Sequence, residues 1–136
     1  MKVLIIDDNQ TTRILMKSHI ERMNPTAEVI FAKTGGESFS IIRENDVDVI
    51  TLDYDLPDMK GLAVAPLLIE YFEKRKLEGA IAEIPKIFML TSNKSIKLQQ
   101  KIQEMGIIFL DKPLTPSNRK TFREFRKVIA YQENEI

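Results

Sequence analysis

Cysteine is absent from all 136 residues, which excludes a disulfide framework, a thiolate metal site and a cysteine nucleophile. Net charge is absent as well. Twenty Lys and Arg balance twenty Asp and Glu, so bulk charge argues for neither nucleic acid nor membrane as a partner. No apolar run approaches the roughly 20 residues that a membrane helix needs. The first run, Met1 to Ile6, is too short before Asp7 for a signal peptide, so a cytoplasmic protein is expected. There is no internal repeat, low-complexity stretch or linker. Histidine occurs once, at His19, inside a predicted helix, and is expected to be a satisfied or surface side chain. What remains is 43% apolar and 29% charged, the balance of an ordinary globular domain, and the length suits one domain spanning 1–136.

Short apolar runs alternate with longer amphipathic ones. Val3 to Ile6, Val29 to Phe31, Val47 to Leu52, Ile87 to Leu90 and Ile107 to Leu110 are apolar on both alternating faces and bounded by polar or turn residues. Strands covered by helices on both sides read this way. The predicted helices are Thr11 to Met23, Gly36 to Arg43, Leu62 to Leu77, Ser95 to Met105 and Pro116 to Tyr131. In the first, Ile14, Leu15, Ser18 and His19 form the expected inner stripe; in the last, Phe122, Phe125, Val128 and Ile129 do. Gly106 is a natural stop for the fourth. Five strands alternating with five helices give βαβ units, and right-handed crossovers make the parallel sheet doubly wound.

Ligands of such sheets sit at the carboxyl ends of the strands. There the sequence places Asp7-Asp8, Asp53, Thr91-Ser92 and Asp111-Lys112. Clustered carboxylates repel one another, and a hard divalent cation such as Mg²⁺ offsets this through oxygen ligands. Lys112 supplies a point charge for a phosphoryl oxygen, Thr91 a hydroxyl donor, and one carboxylate a nucleophile. Together they form an apparatus for moving a phosphoryl group by positioning and charge neutralisation. Taken singly, each motif has a plainer reading: a capping aspartate at Asp7-Asp8, an acidic loop at Asp53-Tyr54-Asp55, a helix N-cap at Thr91-Ser92.

Asp7-Asp8, the run Asp53 to Gly61, Leu90-Thr91-Ser92 and Lys112-Pro113, in this order, resemble the marker set of response-regulator receivers over nearly the whole chain. The resemblance implies a flavodoxin-like, CheY-like three-layer sandwich. It implies Asp53 as phosphoacceptor, with Asp7, Asp8, Asp53 and Asp55 (through its carbonyl) around Mg²⁺. Thr91 and Lys112 would contact the phosphoryl group, and Pro57 and Gly61 would shape the loop over the site. The Lys112-Pro113 peptide would be cis. Thr91 and Phe109 would switch the surface made by the fourth helix, fifth strand and fifth helix, and Asp55 and Asn93 would tune phosphoryl lifetime. The implied partners are a sensor histidine kinase or phosphotransfer protein and a downstream target such as a flagellar motor switch. The protein would be a monomer or weak dimer, would bind neither nucleic acid nor membrane, and would not be a turnover enzyme.

Three departures stand out, one being Asp55 and Asn93 at the lifetime-tuning positions, where a further carboxylate would either repel or orient the attacking water. The Gly61 to Thr91 segment is about two helical turns longer than in small receivers, extending either the helix through Glu73 to Lys76 or the loop at Glu78-Gly79-Ala80. Asp111 precedes Lys112 and either competes for it or faces solvent. The basic set Arg119, Lys120, Arg123, Arg126 and Lys127 is a solvated face or a docking surface for an acidic partner. Two rival readings are a phosphatase of the haloacid dehalogenase type, whose Asp-x-Asp follows the first strand, and a pseudo-receiver that is never phosphorylated.

Overall fold

A computed structural model describes residues 1–130. The elements are β1 (Lys2–Ile6), α1 (Gln10–Met23), β2 (Glu28–Ala32), α2 (Gly35–Glu44), β3 (Val49–Asp53), α3 (Gly61–Leu77), β4 (Lys86–Thr91), α4 (Ile96–Glu104), β5 (Ile108–Asp111) and α5 (Arg119–Ile129). All strand pairs are parallel, in the order β2-β1-β3-β4-β5. The chain first winds from β1 out to β2, then returns past β1 to β3. The order therefore reverses between β1 and β3, and that crevice is where such sheets bind ligands.

Alternation along each strand feeds two separate cores. Leu4, Ile6, Ile50, Leu52 and Met89 face α2, α3 and α4, where Ile42, Val64, Leu68, Phe72 and Ile102 meet them. Val3, Ile5, Val49, Phe88 and Leu90 point the other way, onto Met16 and Ile20 of α1 and Phe125 and Ile129 of α5. Phe88 and Phe125 meet edge to face at 5.1 Å. Each such side chain contributes roughly 1.5–3 kcal/mol when fully buried. The two edge strands, β2 and β5, are the exceptions, each only partly covered.

Local chemistry sets the helix ends. Asn9, Thr34 and Ser95 accept from the backbone N–H three residues on, starting α1, α2 and α4. Gly106, at φ +77°, closes α4 with the paired backbone bonds of a left-handed stop, as expected. The long third segment lengthens the helix: α3 runs through Pro66 to Leu77.

Three expectations need correction. The inner face of α1 is Arg13, Met16, His19 and Ile20, while Ile14 and Leu15 stay 57% and 46% exposed. The helix is rotated because Met16 and Ile20 reach the sheet while Arg13 reaches back to the β1 end, so the stripe read as Ile14-Leu15-Ser18 has the wrong phase. His19 is neither a surface nor a satisfied side chain. It is buried edge-on against Phe122 at 5.4 Å, its Nε2 lacks a partner, and burial followed by the Arg22 charge lowers its pKa below 6.5. Finally, α5 begins at Arg119 rather than Pro116, because Thr115 to Asn118 form a turn. Its expected end at Tyr131 lies outside the described residues.

Candidate functional site

At the β1/β3 crevice each strand ends on an aspartate environment. Asp7 follows Ile6, the last residue of β1, and its N–H donates to Ala32 O at 3.0 Å. Its Oδ1 accepts the Asn9 N–H at 2.8 Å, and its carbonyl accepts Arg13 Nη1 at 2.8 Å. The Asp7 side chain is buried, and that burial pushes its pKa above 3.8; the Asn9 bond opposes the shift and the Asp53 charge adds to it. Asp8 is exposed beside it. Asp53 closes β3, 6% exposed, and its Oδ1 accepts Lys112 Nζ at 2.7 Å and Asp55 N at 3.2 Å.

Lys112 arrives from the far side of the sheet, just past β5. The Lys112–Pro113 peptide is cis, as the resemblance implied. The bend is held from α5: Asn118 Nδ2 donates to the carbonyls of Asp111 and Pro113, each at 3.0 Å, and Thr121 Oγ1 donates to Asp111 O at 2.8 Å. The Lys112 N–H in turn bonds Thr91 O at 3.1 Å.

One carboxylate oxygen from each of Asp7, Asp8 and Asp53 can be chosen so that all lie within 4.8 Å of one another. Three carboxylates against one lysine leave two negative charges in excess, with Asp7 and Asp53 buried and Asp8 exposed at the mouth. Hard oxygen donors in that number and charge fit a divalent cation of the Mg²⁺ or Ca²⁺ class, and no soft ligand is present to favour zinc or copper.

Gly61 makes the loop after Asp53 possible. A Cβ there would stand 2.7 Å from Asp53 O and 2.9 Å from Tyr54 Cα, so no other residue lets α3 start this close to the acceptor strand. Asp58, in the same loop, accepts the Gly35 and Gly36 N–H groups at 3.0 and 2.9 Å, capping α2 from outside; these bonds hold its pKa below 3.8.

The Asp55 carboxylate is outside the cluster, turned to Lys60 Nζ at 2.6 Å. Asp111 does not compete for Lys112; its Oδ2 faces Lys94 at 3.7 Å. Asn93 spends its Oδ1 on the Ser95 N–H at 2.9 Å, and its own N–H goes to Thr91 Oγ1 at 3.0 Å. Thr91 is buried at the end of β4 and Phe109 is half-buried on β5; Met89 pairs with Phe109 and Thr91 with Asp111, so Thr91 and Phe109 share a sheet face two positions apart. Pro57 is exposed in the loop. The basic residues of α5 are exposed, with Lys127 paired to Glu124 at 3.2 Å. Two positioning residues were not legible in the sequence. Neither Arg13 nor Asp58 carries a sequence signal that singles it out for this role.

Beside Lys112 a mainly apolar pocket of about 170 Å³ opens, lined by Asp7, Leu15, Met16, Leu90, Pro113 and Leu114 among others. Among the described residues, no helix is long and apolar enough to cross a membrane.

A family model described as the response regulator receiver domain matches residues 3–121. A chemotaxis protein CheY homolog of Campylobacter jejuni is 27% identical over 117 residues, covering 85% of this chain and 84% of that protein. A protein-glutamate methylesterase/protein-glutamine glutaminase of Oleidesulfovibrio alaskensis is 30% identical over 122 residues, 76% of this chain. The chain spans about a third of that relative's length (33%). In fold, it matches the receiver domain of Saccharomyces cerevisiae Ssk1, solved in complex with the histidine phosphotransfer protein Ypd1. That match has a TM-score of 0.76 at 22% identity, covering 98% of this chain and 94% of that one.

Proposed function

Because the chain belongs to the response regulator receiver family and so serves two-component signalling, we propose that Asp53 is its phosphoacceptor, served by Lys112 and Thr91. The carrying observation is the buried Asp53 carboxylate, 2.7 Å from Lys112 Nζ, with two further aspartates alongside.

The reaction follows from the chemistry of these groups. An oxygen of ionised Asp53 attacks the phosphorus of a phosphohistidine; the P–N bond breaks, a P–O bond forms, and the imidazole nitrogen leaves with its electron pair and takes a proton. Lys112 pairs with a phosphoryl oxygen in place of its present bond to Asp53. The Thr91 hydroxyl donates to another. Asp7, Asp8 and Asp53, with the carbonyl of Asp55, would hold Mg²⁺, which supplies neutralising charge to the phosphoryl oxygens. Arg13 fixes the β1 end on which Asp7 depends.

Phosphorylation then biases a two-state equilibrium in which Thr91 and Phe109 move together, altering the face of α4, β5 and α5. The exposed basic residues of α5 suit that face to an acidic partner. The phosphoryl donor is a histidine kinase or phosphotransfer protein; the yeast Ssk1 receiver, of the same fold, was solved with a protein of the latter kind. The CheY relative makes chemotaxis the first pathway to test. Asp55 and Asn93 flank the reacting atoms and set phosphoryl lifetime. The protein acts in the cytoplasm as a monomer or weak dimer, as a phosphoacceptor rather than a turnover enzyme. Asp53 ends the third strand, not the first, which disfavours the phosphatase alternative.

Intact-protein mass spectrometry after incubation with acetyl phosphate tests this reading. The expected result is a gain of one phosphoryl group that needs Mg²⁺ and is lost in Asp53→Asn. No gain under conditions that label another receiver would refute it and favour the pseudo-receiver.

A further inference from the structure

Lys60 stands where α3 begins, a poor place for a cation. The N-terminus of a helix favours anions and side-chain acceptors, yet Lys60 is the N-cap and makes no side-chain cap bond. Its ammonium instead reaches back across the loop to Asp55 Oδ1 at 2.6 Å and lies 5.7 Å from the centre of the Tyr54 ring. The backbone is built for that reach. Asp55 and Lys60 face each other as an antiparallel bridge, and Gly61 N donates to Tyr54 O at 2.7 Å. A residue that opposes its own helix while serving a partner elsewhere breaks a local rule, and such breaks concentrate at functional sites.

We propose that Lys60 is a positioning residue that holds the Asp55 carboxylate out of the cation cluster and so sets how tightly the cluster binds its cation. The proposal rests on the reading of Asp7, Asp8 and Asp53 as a cation site. Those three carboxylates and Lys112 carry two excess negative charges, which one divalent cation offsets. Asp55 lies two residues beyond Asp53, and its N–H already bonds Asp53 Oδ1 at 3.2 Å. Released from Lys60, its carboxylate would add a third excess charge at the mouth of the site. The cation would then be held more tightly, and an incoming phosphoryl group repelled. The pair itself adds little to stability, because its side chains are 64% and 61% exposed. Breaking it leaves the fold intact and isolates the electrostatic effect.

The test is equilibrium Mn²⁺ binding at low ionic strength, with free Mn²⁺ followed by electron paramagnetic resonance, for wild type, Lys60→Ala, Lys60→Arg, Asp55→Asn and the Lys60→Ala/Asp55→Asn double variant. Lys60→Ala should bind Mn²⁺ about three- to tenfold more tightly, with the gain shrinking as salt is raised. Lys60→Arg should stay close to wild type, the double variant should lack the gain, and Asp55→Asn, which leaves the Lys60 ammonium unpaired beside the site, should bind Mn²⁺ no more tightly than wild type. A Lys60→Ala affinity equal to wild type, or a gain that survives in the double variant, would overturn the proposal. Failure of the wild type to bind Mn²⁺ at all would instead overturn the cation-site reading, and this proposal with it.

Discussion

Removing Lys112 should leave a buried carboxylate without its counter-charge, and the size of the penalty can be worked from the geometry. At an effective dielectric constant of about 20, unit charges 2.7 Å apart attract by roughly 6 kcal/mol before desolvation is counted. Removing one partner of a fully buried pair costs about 3–5 kcal/mol. Asp53 meets that condition at 6% exposure, but the Lys112 side chain keeps 32%, so solvent screens part of the interaction. A loss of about 2 kcal/mol is the reasoned value for Lys112→Met, which retains the apolar stem. For a chain of this size that is a fall of about 6 °C in Tm. Urea denaturation in EDTA at pH 7.5 reads it directly. Adding Asp53→Asn removes the orphaned charge, so the double variant should recover most of the loss. Saturating Mg²⁺ should stabilise Lys112→Met at least as much as wild type, roughly 2.7 kcal/mol at a hundred times Kd. A loss below about 0.5 kcal/mol, or a double variant no better than the single one, would refute the premise that Asp53 depends on Lys112 for its charge.

Two other predictions come from titrating groups. The folded-state pKa of Asp7 is raised above 3.8, so its contribution to stability is full below that pH and is lost as pH rises through the folded value. Asp7→Asn should therefore raise the denaturation midpoint at pH 7 in EDTA while losing most of the stabilisation that Mg²⁺ gives; a lowered midpoint would contradict the assignment. The pKa of His19 is lowered by burial, so the unfolded chain takes up its proton first and stability falls as pH drops below about 6.5. The difference in midpoint between wild type and His19→Leu should shift against wild type between pH 7.5 and 5.5, and a constant difference would show that folding does not lower the pKa of His19.

The architecture was legible because it rests on periodicity. A strand covered on both faces must be apolar at every position, and Val3 to Ile6 and Ile87 to Leu90 could be little else. The site was legible because strand ends in a parallel sheet share one edge, so aspartates at the ends of β1 and β3 must meet once the order is doubly wound. The phase of α1 was not. Ile14 and Leu15 are as apolar as Met16 and Ile20, and only the sheet decides which pair turns inward.

Sequence alone therefore determined the strands, the helices and the residues offered to the site, since hydrophobic spacing and motif order act locally or through one topological rule. Tertiary structure alone decided which charges pair. Asp55 lies two residues past Asp53 and Asp111 adjoins Lys112, so either could have joined the cluster; packing instead gave Asp55 to Lys60, Asp111 to Lys94 and Lys112 to Asp53. It also buried Arg13 and His19, which composition would place outside. Charge pairing depends on distances of a few ångströms between segments far apart in the chain, and no one-dimensional pattern encodes those.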